Sequence, residues 1–180
     1  MNAPWRVLDS DIAFPSRWAT IRRDRVELPD GSQTDYFLAV RPHVALVLAF
    51  TTDDQAILVT QYKHGAGSRT TELPGGGFTP EEDPAEAAAR ELVEETGYVC
   101  RDGLHAVGAF YDDSSKNTNM VHAFTGTGAV ERSTPTLDSM EQAAGLKTIL
   151  VPRASLPAML ADGTIRSMSS VAAIYRALAD

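Results

Sequence analysis

One block constrains this chain more than any other, the stretch from Glu72 to Tyr98. It opens with Glu72-Leu73-Pro74-Gly75-Gly76-Gly77-Phe78, passes Glu82, and ends in Arg90-Glu91-Leu92-Val93-Glu94-Glu95-Thr96-Gly97-Tyr98. Asp83 precedes Pro84, with Glu86 three residues after it, an N-terminal capping arrangement with proline at the first helical position. Ala85, Ala87, Ala88, Ala89, Leu92 and Val93 are mostly good helix formers, and Gly97 is a C-terminal stop. The spacing predicts a helix over Pro84–Thr96. At 3.6 residues per turn its inward face is expected to be Ala85, Ala88, Ala89, Leu92, Val93 and Thr96. Glu91, Glu94 and Glu95 then share a wedge of roughly 100° on the opposite side.

Carboxylates crowded this way repel, at about 0.2–0.5 kcal/mol per pair on a bare helix. A solvated acidic face is the plain alternative. The distribution of charge argues against it. Gly76 to Tyr98 holds seven acids and one base, a net of −6 within a chain whose total is −8. Hard divalent cations such as Mg²⁺ or Mn²⁺ take oxygen ligands and tolerate such crowding. The glycines permit positive φ and close backbone approach, so a carbonyl near Gly75 or Gly76 could face the same cations. No Gly-Lys-Ser/Thr follows, so the loop is not a P-loop, and Gly126-Thr127-Gly128 is too weak for a dinucleotide fingerprint.

Written as a pattern, the block is G-x5-E-x7-R-E-U-x-E-E-x-G-U, with U bulky and apolar. A chance match in a chain of this length is on the order of 10⁻⁶ at a background of roughly 6 % per fixed residue. The sequence resembles the Nudix hydrolase family. The N-terminal segment, the Gln61-Tyr62-Lys63 strand end, Glu72-Leu73-Pro74-Gly75-Gly76 and Asp162-Gly163-Thr164-Ile165 look like the ADP-ribose pyrophosphatases within it. The resemblance implies an α+β fold, the Nudix-type α/β/α sandwich with a mixed β-sheet, as one domain over residues 1–180. It also implies a homodimer to which the N-terminal strands, residues 1–41, contribute.

The rest of the chain is compatible with that fold. Its length suits a single core, and 43 % apolar with 22 % charged residues is ordinary for a globular protein. Expected strands are Trp5–Phe14, Trp18–Leu28, Tyr36–Arg41, Val44–Phe50, Ala56–Tyr62, His105–Tyr111, Met120–Thr125 and Leu146–Val151. Short helices are expected over Ser155–Ala161 and Ser169–Leu178, the latter with Val171, Ile174, Tyr175 and Leu178 inward. The net charge of −8 argues against tracking a nucleic-acid backbone. No apolar run approaches a membrane span and no basic-then-apolar leader is visible, so a cytoplasmic protein without membrane contact is expected. The lone Cys100 excludes an internal disulfide and reads as a small apolar residue.

By resemblance, Glu91 and Glu95 are the principal metal ligands, with Glu94 assisting and the Gly75 carbonyl as a backbone ligand. Two or more Mg²⁺ or Mn²⁺ ions are implied. Arg90 matches the arginine that orients a glutamate, and Glu82 the early box acid. The implied reaction is hydrolysis of a diphosphate in a nucleotide-type small molecule, such as ADP-ribose to AMP and ribose 5-phosphate. Its proton acceptor comes from a late loop, here Ser133 to Gly145, with Glu141 the first candidate and Asp138 the second. Candidate substrate contacts are Lys63, Arg69, Glu72, Ser115 and Asn119, with His64 and His122 as further pocket residues. Two departures bear on specificity. Tyr111 to Asn119 replaces a Pro-Gly turn, and Lys63 stands where an arginine is common, a point charge instead of a fork. GDP-mannose, dinucleoside polyphosphates and capped or oxidised nucleotides are alternative substrates, and a non-catalytic nucleotide sensor is the alternative from another class.

Overall fold

The computed structural model describes residues 4–16 and 19–179. The strand start expected at Trp18 lies outside them. The chain divides into two compact units, one formed by residues up to Pro42 with Tyr111–Met120, the other by His43–Phe110 with Val121 onward.

The first unit is a three-stranded antiparallel sheet, β1 (Arg6–Phe14), β2 (Thr20–Glu27) and β3 (Gln33–Val40), with β2 central. Its strands are laced by charge. Arg6 pairs with Glu27 at 2.9 Å, and Arg22 with buried Asp24 at 2.8 Å. Asp24 also accepts from Ser10 at 2.6 Å, and the Arg22 bond holds its carboxyl below the usual range. The polar stretch 111–120 joins this sheet. The Tyr36 hydroxyl donates to the Ser115 carbonyl at 2.6 Å, and Ala39 bridges to Asn117.

The second unit is built on a mixed eight-stranded sheet. Its path runs β11 (Lys147–Pro152), β5 (Gln55–Lys63), β4 (His43–Thr51), β10 (Met120–Glu131) and β8 (Tyr98–Cys100). β6 (Ser68–Glu72) pairs with β5, β7 (Gly75–Phe78) with β4, and β9 (His105–Tyr111) with β10. The β4–β10 pair is parallel, whereas β4–β7 and β5–β6 are antiparallel. Period-two alternation splits β4 between two cores. Leu46, Leu48 and Phe50 face one layer with Leu156, Ala173 and Ile174. Ala45, Val47 and Ala49 face the other with Ala87, Ala88 and Leu92. The first layer holds α3 (Leu156–Ala161) and α4 (Met168–Leu178); the second holds α1 (Pro84–Thr96). Helices on both faces of a mixed sheet give the α/β/α arrangement expected from the sequence.

Helix α1 has the expected bounds because its local signals agree. Asp83 accepts from the amides of Ala85 and Glu86 at 2.8 and 3.3 Å, and Gly97 closes the helix at φ 76°. Its inward face is rotated from the expected one. Ala87, Ala88, Glu91, Leu92, Glu95 and Thr96 are buried, while Ala89 is exposed and Val93 only half-buried. In α4 the buried residues are Ser170, Ala173 and Ile174, and Tyr175 and Leu178 are exposed instead of inward. Three strands, β6, β7 and β8, and a helix, α2 (Ser139–Ala144), were not expected from the sequence.

Leu92 is 1 % exposed between α1 and the sheet. Leu92→Ala should lower stability by about 3 kcal/mol through lost transfer energy and a residual cavity. Chemical denaturation that left the unfolding midpoint unmoved would refute this packing.

Candidate active site

The site is assembled where α1 meets the glycine strand β7. β7 runs against β4 in the register His43 with Phe78 and Leu46 with Gly75. Side chains are excluded there by the neighbours. At Gly75, φ 154°, a Cβ would collide with the Ala45 carbonyl, and at Gly76 it would come within 2.6 Å of the Glu91 carboxylate. Glycine therefore lets backbone and acid share one space. The segment before β7 is gripped by one helical layer and by the sheet. The Leu73 amide donates to the buried Ser170 hydroxyl of α4 at 3.0 Å, and the Pro74 carbonyl accepts from the Val47 amide at 3.0 Å. The Gly75 amide then donates to Glu95 Oε2 at 2.8 Å.

Glu91 and Glu95 are 8 % and 3 % exposed. Burial disfavours the ionised form of each. It raises the Glu91 carboxyl, partly offset by the hydrogen bond from Arg90. It pushes Glu95 up to about 8, against the Gly75 amide and with added repulsion from Glu91 and Glu141. Arg90 is the organising cation. Its Nε donates to Glu82 Oε1 at 2.9 Å, and its Nη1 to Glu91 Oε1 at 2.7 Å and Glu94 Oε2 at 3.0 Å. These bonds, that to Glu82 foremost, hold the guanidinium proton more tightly than usual and lower the Glu82 carboxyl.

Among the described residues, no three His, Cys, Asp or Glu side chains form a ready-made cation cage. Arg90 bridges Glu91 and Glu94, so those acids meet through a guanidinium. The donor set nevertheless fits a hard divalent cation. It offers carboxylate and carbonyl oxygens only, and the two buried acids carry a desolvation cost that a cation would relieve. The residues that would hold such a cation are the expected ones, Glu91 and Glu95, with Glu94 and the Gly75 carbonyl as the further candidates.

Beside this lies a cleft of about 470 Å³, lined by Gln61, Tyr62, Lys63, His64, Met140, Glu141, Ala143 and Ala144. It brings together several residues singled out from the sequence. Lys63 Nζ stands 3.7 Å from Glu72 Oε2 across the β5–β6 hairpin. Tyr62 Oη and His64 Nδ1 are 3.3 Å apart. Glu141 sits on α2, and its charge is felt at both Glu91 and Glu95. Within the segment expected to be a loop, Ser133 to Gly145, residues Ser139–Ala144 thus form a capped helix. Asp138 accepts from the Met140 and Glu141 amides, and Glu141 Oε2 accepts from the Asp138 amide at 2.7 Å. The pattern Asp138-x-x-Glu141 carried that signal. Arg69 donates to backbone carbonyls, Thr60 at 3.1 Å, Gly145 at 2.8 Å and Ala144 at 3.4 Å. Ser115 and Asn119 belong to the first unit, where Ser115 closes a turn on Asp113 and Asn119 is buried. His122 packs against His43 and Phe78, with ring centroids 5.8 and 5.4 Å away. Ser170 and Thr148, whose hydroxyl reaches the Glu95 carbonyl at 3.3 Å, are supports that the sequence did not reveal.

Comparison with known proteins places the chain in a family. The family model of the Nudix domain matches residues 40–169. The chain belongs to the Nudix family. A model of the nucleoside diphosphate sugar hydrolase N-terminal domain matches residues 5–38. This Nudix protein is 34 % identical over 119 residues to the ADP-ribose pyrophosphatase of Bacillus subtilis (strain 168), covering 66 % of this chain and 64 % of that one. It is 28 % identical over 141 residues to the methanol dehydrogenase activator of Bacillus methanolicus, covering 78 % and 71 %. A crystal structure of an ADP compounds hydrolase superposes with a TM-score of 0.86 at 21 % identity, over 99 % of this chain and 95 % of that one, a likeness of fold.

Burial of Glu95 leads to a stability test. Its carboxyl binds protons more tightly folded than unfolded, so its contribution to stability is present below pH 4.5 and lost as pH rises to about 8. Glu95→Gln removes that loss while keeping an acceptor for the Gly75 amide. In EDTA, the variant should melt above the parent at pH 8 by several degrees, with the gap closing towards pH 4.5. A parent more stable than the variant at pH 8 under these conditions would contradict the desolvated carboxylate.

Proposed function

We propose that this protein hydrolyses the diphosphate of a nucleoside diphosphate compound, and that ADP-ribose, cleaved to AMP and ribose 5-phosphate, is its substrate. The observation that carries the reading is the pair of buried carboxylates, Glu91 and Glu95, held against the Gly75–Gly76 backbone beside a cleft that presents Lys63 and Glu141. When bound, two or more Mg²⁺ or Mn²⁺ ions supply the charge neutralisation that attack on a diphosphate requires. Arg90 donates to Glu91 and Glu94 and holds both carboxyl groups in place. Lys63 offers a cation to phosphate oxygens. Water adds to one phosphorus, the bond from that phosphorus to the bridging oxygen breaks, and the second phosphate leaves with that oxygen. Glu141 takes the proton of the attacking water. The ADP-ribose pyrophosphatase relative supports this choice of substrate.

The same reading includes a homodimer. The first unit exposes Trp5, Val7, Ile12, Phe14, Phe37 and Val40, an apolar set suited to burial by a second copy. The match to a nucleoside diphosphate sugar hydrolase N-terminal domain lies on this segment. Light scattering should return twice the chain mass of 19.4 kDa; a monomer at micromolar concentration would remove the dimer from the proposal.

Turnover is tested on a panel of ADP-ribose, GDP-mannose and dinucleoside polyphosphates, each with Mg²⁺ and with EDTA. AMP released from ADP-ribose only with the metal is the expected result. Glu95→Gln should lower that rate by at least about 100-fold with the fold retained. Metal-dependent cleavage of another compound would reassign the substrate, and binding without cleavage would point to a sensor.

A further inference from the structure

Helix α2 is a weak element placed at a sensitive position. It has six residues and none of them is buried. Isolated helices of that length are not stable in water, so its place depends on what holds its ends. At the N-terminal end the reciprocal capping between Asp138 and Glu141 is internal to α2, and the tie to the rest of the unit is the Thr136 amide, which donates to the Glu94 carbonyl of α1 at 2.7 Å. At the C-terminal end two anchors reach the body of the second unit. One is Leu146, which is buried. The other is Arg69, whose guanidinium donates to the Ala144 and Gly145 carbonyls at the helix end and to the Thr60 carbonyl on β5. A cation on the last carbonyls of a helix is favourable, and a guanidinium presents five donors in a fixed planar fork where an ammonium has three on a flexible stem. The guanidinium therefore clamps α2 to the strand whose end lines the cleft.

We infer that Arg69 is a positioning residue: it latches α2 to β5 and acts on the reaction only through the placement of Glu141. This assigns Arg69 a role different from the substrate contact expected from the sequence, and it rests on Glu141 as the proton acceptor. Three of its five N–H donors are already engaged by carbonyls, both Nη2 hydrogens among them, which fixes the guanidinium on the backbone. Loss of the latch would let α2 fray and withdraw the acid from the two metal-site carboxylates.

The test is a double-mutant cycle on the full chain, using Arg69→Ala, Glu141→Gln and both together, with ADP-ribose or whichever panel compound is cleaved. Glutamine at position 141 can still cap the Asp138 amide, so α2 is retained. Glu141→Gln should lower kcat by about 100-fold or more. Arg69→Ala should lower kcat by about tenfold with KM within about twofold, and should cost nothing further in the Glu141→Gln background. Hydrogen exchange on Arg69→Ala should speed up at the amides of Gln142, Gly145 and Leu146 and leave α1 unchanged. A raised KM that persists in the Glu141→Gln background would overturn the inference in favour of direct substrate contact, and unchanged exchange in α2 would overturn the latch. Parent-like turnover of Glu141→Gln alone would instead remove Glu141 as proton acceptor, and the inference would fall with it.

Discussion

Everything in the site depends on keeping two carboxylates, Glu91 and Glu95, inside the protein where water cannot compensate their charge. A buried acid costs free energy unless something answers it. Here the answers are a backbone amide from Gly75, a guanidinium from Arg90, and a place for a divalent cation. The first two are fixed by the fold, because β7 lies in register with β4 and α1 packs on the same sheet face. The glycines of β7 are what permit the approach, since a side chain at Gly76 would occupy the Glu91 carboxylate's volume.

The sheet divides labour between its faces. The α1 face presents the acids, while the α3–α4 face steadies the loop through Ser170 and the Leu73 amide. The chemistry therefore depends on packing from both layers, although the reactive groups protrude from one.

How far the sequence reveals this differs by element. Asp83, Pro84 and Gly97 place the ends of α1 without ambiguity, because capping is a local interaction. The same sequence misplaces the acids. A period of 3.6 with carboxylates counted as outward turns Ala89 and Val93 inward, whereas Glu91 and Glu95 occupy that side. Nothing local announces the exchange, since it is favoured by a three-glycine strand with no strand propensity of its own. The α4 helix shows the related error: Tyr175 and Leu178 look like core by composition, but Ser170, Ala173 and Ile174 occupy the core side of the helix. In α2 the signal is present and local, in the capping pair Asp138 and Glu141, but the resemblance implies a loop over Ser133 to Gly145 and so hides it.

The contrast between α1 and α2 carries a consequence for how such a protein can diversify. The acids of α1 are locked to a core in which almost any change of volume is felt. The acid of α2 rides on a surface helix with no buried side chain, fastened at its C-terminal end by the Arg69 fork and Leu146 and before its N-terminal end by the Thr136 amide. Lineages could therefore change the residues around Glu141 in that segment while the buried acids of α1 stayed fixed. Drift on the α2 side of the cleft would then bear first on the proposed proton acceptor, Glu141, with the buried acids of α1 inherited almost unaltered.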